Sequence, residues 1–385
     1  MKKVLLLAAC AAMFTSALAD TTADGYTITK ATDVAWPAES PKNDCRQGFG
    51  LNNQFYIQNK ANQELQVYDL TGKLVKTIPS GKATGVSFDE AGNIVMSLST
   101  FPNDHGYRTD TLQIKVVSAD GKTVKNYNLP TDTIEKGRCD FLGCAEGNML
   151  TDGSLYLVGA LNTGVGIMRV ADGELDVDNS YQAIAAGTTP STSTVVMPWK
   201  PVGSEDMHYL YVTRNATPCD MVMDGENFKV TPITLPNKGA NNGAYPFVYE
   251  GKNYIAYPTP TNYFDGFAVA EITFNADGTI SAGEAPVIQV DAVATANANG
   301  FQGDWLTVDP STQTIYQVYP GGGLRTYKFT TPQSTGVNNV TAAKTVKNVT
   351  YVNTLGMQSA EPFQGMNIVV TNYTDGSHTA TKVMK

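Results

Sequence analysis

Between Thr84 and Leu98 apolar and polar positions alternate in a way that predicts one tight β-hairpin. Val86 and Phe88 alternate with small or polar neighbours, Asp89, Glu90, Gly92 and Asn93 supply the turn, and Ile94, Val95, Met96 and Leu98 form the return strand. Such a hairpin cannot bury its apolar faces alone and needs neighbours of the same kind. Similar hairpins recur at 49–57, 149–158, 195–212, 247–257 and 305–318. Five of the six are followed by a second pair of strands around a short polar turn: Leu70-Thr71-Gly72-Lys73, Ala119-Asp120-Gly121-Lys122, Ala171-Asp172-Gly173-Glu174, Asp224-Gly225-Glu226-Asn227 and Asn275-Ala276-Asp277-Gly278.

The sixth unit lacks its last strand. Gly25 to Lys30 alternates like a strand and has no partner of its own, so pairing it outside 324–329 would complete that unit and close a ring. The pattern therefore predicts an all-β chain whose body, 20–334, is a six-bladed β-propeller of four-stranded blades closed by the N-terminal strand. A seven-bladed count and a pair of β-sandwich domains are the alternatives; the sandwich pair would explain the short strands equally well, but not the repeated four-strand cycle. After a polar linker at 334–339 the pattern changes to short strands at 349–352, 367–371 and 380–384, which predict a small C-terminal β module over 335–385.

Composition agrees with this reading. The 385 residues include 35 Gly, 19 Tyr and 14 Phe, with only 16% charged residues, which suits a glycine-punctuated all-β protein better than a helical one. Residues 1–19 open with Lys2 and Lys3, run apolar from Val4 to Phe14 and end on Ala17-Leu18-Ala19, the three regions of a secretory signal peptide. Leu7-Ala8-Ala9-Cys10 also looks like a lipobox, but cleavage there would leave the apolar run 11–19 at the start of the mature chain. Release after Ala19 is the expected processing. No later stretch is long and apolar enough for a transmembrane span.

Removing Lys2 and Lys3 takes the formal charge from −9 to −11, and no Lys/Arg cluster is present, which excludes nucleic acid as the expected partner. Cys45, Cys139, Cys144 and Cys219 remain after processing; an exported chain permits disulfides, and buried free thiols are the other reading. No His or Cys pair has metal-ligand spacing, and no nucleophile elbow, phosphate loop, dinucleotide fingerprint or complete calcium loop occurs, so neither metal nor cofactor is expected.

In an up-and-down sheet the first and third turns share one end, and the second turns and inter-sheet links share the other. The short Asp-Gly turns fall at the first end. The longer, chemically varied segments fall at the second: 101–110, 130–147, 179–194, 214–220, 258–266 and 290–304. That second-turn face is the expected binding surface. Its candidate ligand-binding residues are His105, Tyr107, Arg108, Arg138, Asp140, Arg214, Tyr263, Asp265, Asp304 and Trp305. Aromatic faces pack against sugar rings or peptides, while Arg and Asp fix hydroxyls and carboxylates. The expectation is a non-catalytic binder of an extracellular glycan, peptide or protein. The alternative is an enzyme acting on polysaccharide, a lyase or glycosidase, with His105 or Tyr107 as base and Arg108 or Arg138 neutralising a carboxylate.

Near the C-terminus the sequence carries Asn353-Thr354-Leu355-Gly356, then Gly365-Met366-Asn367-Ile368-Val369-Val370, then Tyr373-Thr374-Asp375-Gly376 and a terminal Lys382-Val383-Met384-Lys385. This order resembles the C-terminal sorting domain of type IX secretion cargo in Bacteroidota. The resemblance implies recognition by the type IX secretion machinery, with Gly356, Gly365, Asn367, Asp375, Gly376 and Lys385 as motif residues. It also implies release or attachment at the outer surface of a Gram-negative cell, the periplasm being the alternative location.

Overall fold

The computed structural model describes residues 20–38, 45, 47–81, 83–98, 112–130, 139–160, 162–191, 193–239, 243–259, 266–291, 305–332, 346–353, 356–374 and 378–384. The chain divides into two compact units, Met1–Pro332 and Gln333–Lys385. Among the described residues neither contains a helix.

Among its described residues the first unit has six antiparallel sheets, consistent with a propeller-like fold. The first sheet runs Gly48–Leu51, Gln54–Asn59, Glu64–Asp69 and Leu74–Pro79; the second runs Gly85–Phe88, Ile94–Leu98, Leu112–Val117 and Val124–Leu129. The fourth is Thr194–Trp199, His208–Thr213, Cys219–Asp224 and Asn227–Pro232. In each, the strands follow chain order, as expected where short turns join antiparallel neighbours.

Two sheets depart from the regular cycle. In the third (Glu146–Gly147, Gly153–Leu157, Gly164–Ala171, Glu174–Leu175), the outer position is shared with Tyr181–Ile184, which pairs the same strand further along. The fifth (Tyr245–Tyr249, Lys252–Pro258, Phe267–Phe274, Ile280–Ser281) does the same with Ile288–Val290. The third sheet also shows a correction: Met149 lies in the turn, and the inner strand is only Glu146–Gly147. Residues 139–144 lead into it outside any strand, and Ala145 forms an isolated parallel bridge with Asp89, its N–H donating to Phe88 O at 2.9 Å. Gly143 lies so close to the fourth sheet that a Cβ there would sit 1.8 Å from Val196 O.

The sixth sheet contains Trp305–Asp309, Thr314–Tyr319 and Gly323–Thr330, and its next strand is Tyr26–Val34 from the other end of the unit. Ile28 pairs Phe329 and Lys30 pairs Tyr327, so the expected strand exchange between the ends of the unit is present. Asp20–Ala23 adds a fifth, outermost strand that the sequence pattern did not suggest.

Apolar side chains fill the spaces between successive sheets. Phe49 and Tyr56 of the first meet Val86 and Phe88 of the second, Val95 and Ile114 of the second meet Leu155 and Met168 of the third, and Tyr156 of the third meets Tyr209 of the fourth. Leu210 and Ile255 link the fourth and fifth, Phe247 and Phe329 the fifth and sixth, and Tyr316 and Phe55 the sixth and first. Each sheet thus buries both faces, which a lone hairpin could not do.

The second unit is one antiparallel sheet in the order Gln358–Ser359, Val346–Asn353, Met366–Tyr373, His378–Met384. Met357, Ile368 and Val383 are exposed on it, consistent with a unit too small to hold a large core.

Candidate functional site

In the first unit the segment leading into the third sheet meets side chains of the fifth and sixth sheets. Phe141 stacks on Trp305 of the sixth sheet with ring centroids 5.3 Å apart and planes 26° from parallel. Cys144 Sγ lies 3.8 Å from Tyr245 Oη of the fifth sheet. Burial pushes the Cys144 thiol up to about 11 and the Tyr245 phenol well above its usual value. A cavity of about 410 Å³ opens on the first-turn side, bordered by Asn52, Phe88, Glu90, Cys144, Pro198 and Tyr245.

The second-turn side carries a different cavity. About 460 Å³ is enclosed between the second turn of the fourth sheet and the segment leading to the fifth, lined by Asn215, Thr217, Pro218, Ile233, Leu235 and Lys238 among others. Asn215 reaches φ +59° to make the turn, which an Asn tolerates better than a branched residue. Gly239 closes the other side: a Cβ there would stand 2.4 Å from Thr259 O, so the backbone approaches as only glycine allows. Lys238 is partly buried, its ammonium donates to Gly239 O at 2.8 Å, and burial brings it down to about 8. The cavity thus combines a poised amine, amide and hydroxyl groups, and a short apolar wall.

The residues singled out from sequence separate clearly. Arg214 immediately precedes Asn215 and is partly buried; its N–H donates to Ser193 O at 3.2 Å. Asp140 and Trp305 are each 3% exposed, the placement of core residues rather than of a surface platform. His105, Tyr107, Arg108, Arg138, Tyr263, Asp265 and Asp304 lie outside the described residues, as do the leader 1–19 and most of three of the six long segments, 101–110, 258–266 and 290–304. The lyase roles assigned to His105, Tyr107, Arg108 and Arg138 therefore have no described geometry.

Cys45, Cys139, Cys144 and Cys219 are all free thiols. Among the described residues no His/Cys/Asp/Glu group is arranged to hold a metal, and no helix is long and apolar enough to cross a membrane.

In the second unit, the motif residues that are described make turns. Asn353 caps its own turn by accepting from Met357 N–H at 3.0 Å, and Gly356 sits at φ +79°. Asn367 is 1% exposed; its amide donates to Phe363 O and Gly365 O and accepts from Phe363 N–H, clasping the turn at Gly365 (φ +90°). Asp375, Gly376 and Lys385 lie outside the described residues.

One polar cluster escaped the sequence reading. His208 Nδ1 is 2.6 Å from Asp220 Oδ2, and its Nε2 is 2.9 Å from Ser204 Oγ. Trp199 Nε1–H donates to Asp220 Oδ1 at 3.3 Å. Strand register explains the meeting: Trp199 stands opposite His208, and His208 opposite Val222, which makes Asp220 its diagonal neighbour on the same face. Burial pushes the Asp220 carboxyl up, against the His208 and Trp199 hydrogen bonds that pull it down. The available signal was the alternation placing Trp199, His208 and Asp220 on one face, legible only once the strand register is known.

No protein-family model matches the chain, and no curated protein matches it. Among solved structures it resembles a DUF4623 family protein from Bacteroides eggerthii DSM 20697, with TM-score 0.55 and 11% identity over 76% of this chain and 71% of that one. An auxiliary nutrient binding protein from Bacteroides ovatus ATCC 8483 follows at TM-score 0.48 and 12% identity, covering 80% of this chain and 77% of that one. A streptogramin B lyase matches at TM-score 0.43 and 12% identity over 79% and 98% of the two chains. At such identities the likeness is one of fold, and of these three the DUF4623 family protein carries it.

Proposed function

We propose that this protein is an exported binding module that takes an extracellular glycan, peptide or protein partner on its second-turn face and does not turn over what it binds there. In this reading the six sheets are the blades of one propeller, closed by the N-terminal strand, and residues 1–19 are removed on export. The C-terminal unit serves as a sorting tail of the type IX kind, delivering the chain to the outer surface of a Gram-negative cell. The observation that carries the binding role is the 460 Å³ cavity between Asn215 and Lys238, where amide, hydroxyl and amine groups converge beside Pro218, Ile233 and Leu235. Such a mixture suits an oxygen-rich ligand with a small apolar face. Sugars and extended peptide segments both have that character.

Screening chain 20–385 against arrayed polysaccharides and surface proteins should yield a partner whose affinity falls at least ~10-fold on Lys238→Glu, a loss of about 1.4 kcal/mol. Turnover of every bound glycan, or no binding to any member of either class, would overturn the proposal.

A further inference from the structure

The short-turn side of the fourth and fifth sheets carries a separate chemistry. We propose that Ser204, His208 and Asp220 form a nucleophile, base and orienting carboxylate that hydrolyse small acyl esters, an activity beyond the binding role and at a different place in the fold. The contacts at 2.6 Å and 2.9 Å put one histidine nitrogen on a carboxylate and the other on a hydroxyl. As a carboxylate, Asp220 can only accept, so it fixes the imidazole proton on Nδ1 and leaves the Nε2 lone pair facing Ser204 Oγ–H.

The burial gradient has the order such a relay needs. Asp220 is 3% exposed, His208 7%, and Ser204 is partly exposed at the solvent end, on the turn between the first two strands of the sheet. The imidazole is held by edge-on contacts to Trp199 and Phe274, with centroids 6.2 Å and 5.0 Å away. Beside it lies a cavity of about 480 Å³ with Val222, Met223, Phe274 and Ile280 on its apolar side, room for a short acyl chain. Donors crowd the nucleophile's turn. Asp206 N–H is 3.1 Å from Ser204 Oγ, and the Lys200 ammonium bonds Glu205 O across the same turn.

The reaction balances without a cofactor. Ser204 Oγ attacks the ester carbonyl carbon while its proton passes to His208 Nε2. The carbon–oxygen bond to the alcohol then breaks, and His208 returns the proton to the leaving alkoxide. Water, deprotonated by His208, releases the acid and restores Ser204.

The test treats chain 20–385 with a fluorophosphonate, whose phosphorus bonds to an activated serine oxygen as fluoride leaves, and in parallel with p-nitrophenyl acetate. The expected result is one adduct, on Ser204 by peptide mass, and ester hydrolysis that drops at least ~10²-fold in Ser204→Ala and His208→Asn. Ser204→Ala lies on a partly exposed turn, and its circular dichroism should match the parent. Absence of labelling and of hydrolysis above the buffer rate in the folded parent chain would overturn the proposal, leaving the cluster as a tie that pins the 200–207 turn. An adduct on any other residue, or hydrolysis unchanged in Ser204→Ala, would overturn it as well.

Discussion

Lys238 shows how a single side chain can be set for a role and cost stability at once. Its amine is brought to about 8 by burial, against an ordinary value of 10.5. The unfolded chain therefore binds this proton more readily, and between pH ~8 and ~10.5 the group makes the fold more stable as pH rises. Below pH ~8 both states carry the proton and the penalty is constant. Replacing Lys238 with Met should flatten the stability profile across that window and raise Tm by ~2 °C or more at pH 8, measured by thermal melts at successive pH values. A parent chain and variant with parallel profiles would show that the amine is well solvated. Nothing in the local sequence Pro236-Asn237-Lys238-Gly239 announces this burial, because it depends on the close approach of Gly239 to Thr259 O from the next sheet.

At the scale of elements, one turn device recurs. Asp69 accepts from the Thr71 hydroxyl at 2.6 Å, Asp120 from Ser118 at 2.7 Å, Asp277 from Thr279 at 2.6 Å and Asp309 from Ser311 at 2.6 Å. These turns all lie at the first-turn end, which explains why the connections there are short and rigid. Asp309 is the most enclosed of them: burial raises its carboxyl, but the Ser311 and Thr312 hydroxyls and N–H groups outweigh that and hold it below the usual range. Its contribution to stability is thus complete above pH ~4 and is lost as pH falls through the depressed value. Asp309→Ala should cost ~1 kcal/mol in denaturant melts at pH 7 and much less at pH 2–3.

The turns were the most legible part of the chain, because Asp-Gly and Thr-Gly between alternating strands state their own geometry. The split outer strands of the third and fifth sheets were not legible, nor was the segment 139–145. In the latter nearly every residue is buried, so the alternation that marks a half-exposed strand is absent. The Ser204, His208 and Asp220 cluster was hidden for another reason. Its members are ordinary residues at unremarkable spacings until cross-strand register brings them together.

Over the whole first unit, the cores between successive sheets form a cycle that returns from the sixth sheet to the first through Tyr316 and Phe55. The sixth sheet depends on Tyr26–Val34, where Ile28 is 1% exposed and Arg325 reaches Asp33 at 2.9 Å. Removing residues 20–34 would uncover the flank of Gly323–Thr330 and leave Phe329 and Tyr327 without their cover. That variant should lose cooperative unfolding or aggregate on size-exclusion chromatography, whereas removal of 20–23, an outer strand alone, should lower stability modestly. Equal behaviour of the two would show that strand exchange is dispensable.

The central claim, that ligands are taken on the second-turn face, is most directly tested by titrating one captured glycan or protein against two sets of variants of the full mature chain. One set, Asn215→Trp and Lys238→Glu, alters the cavity between the fourth sheet's second turn and the following segment; the other, Asp120→Asn and Lys122→Glu, alters exposed short turns. The account predicts that the first set weakens binding at least ~10-fold while the second leaves it within twofold, about 0.4 kcal/mol. Binding unchanged by the first set and lost with the second would contradict it.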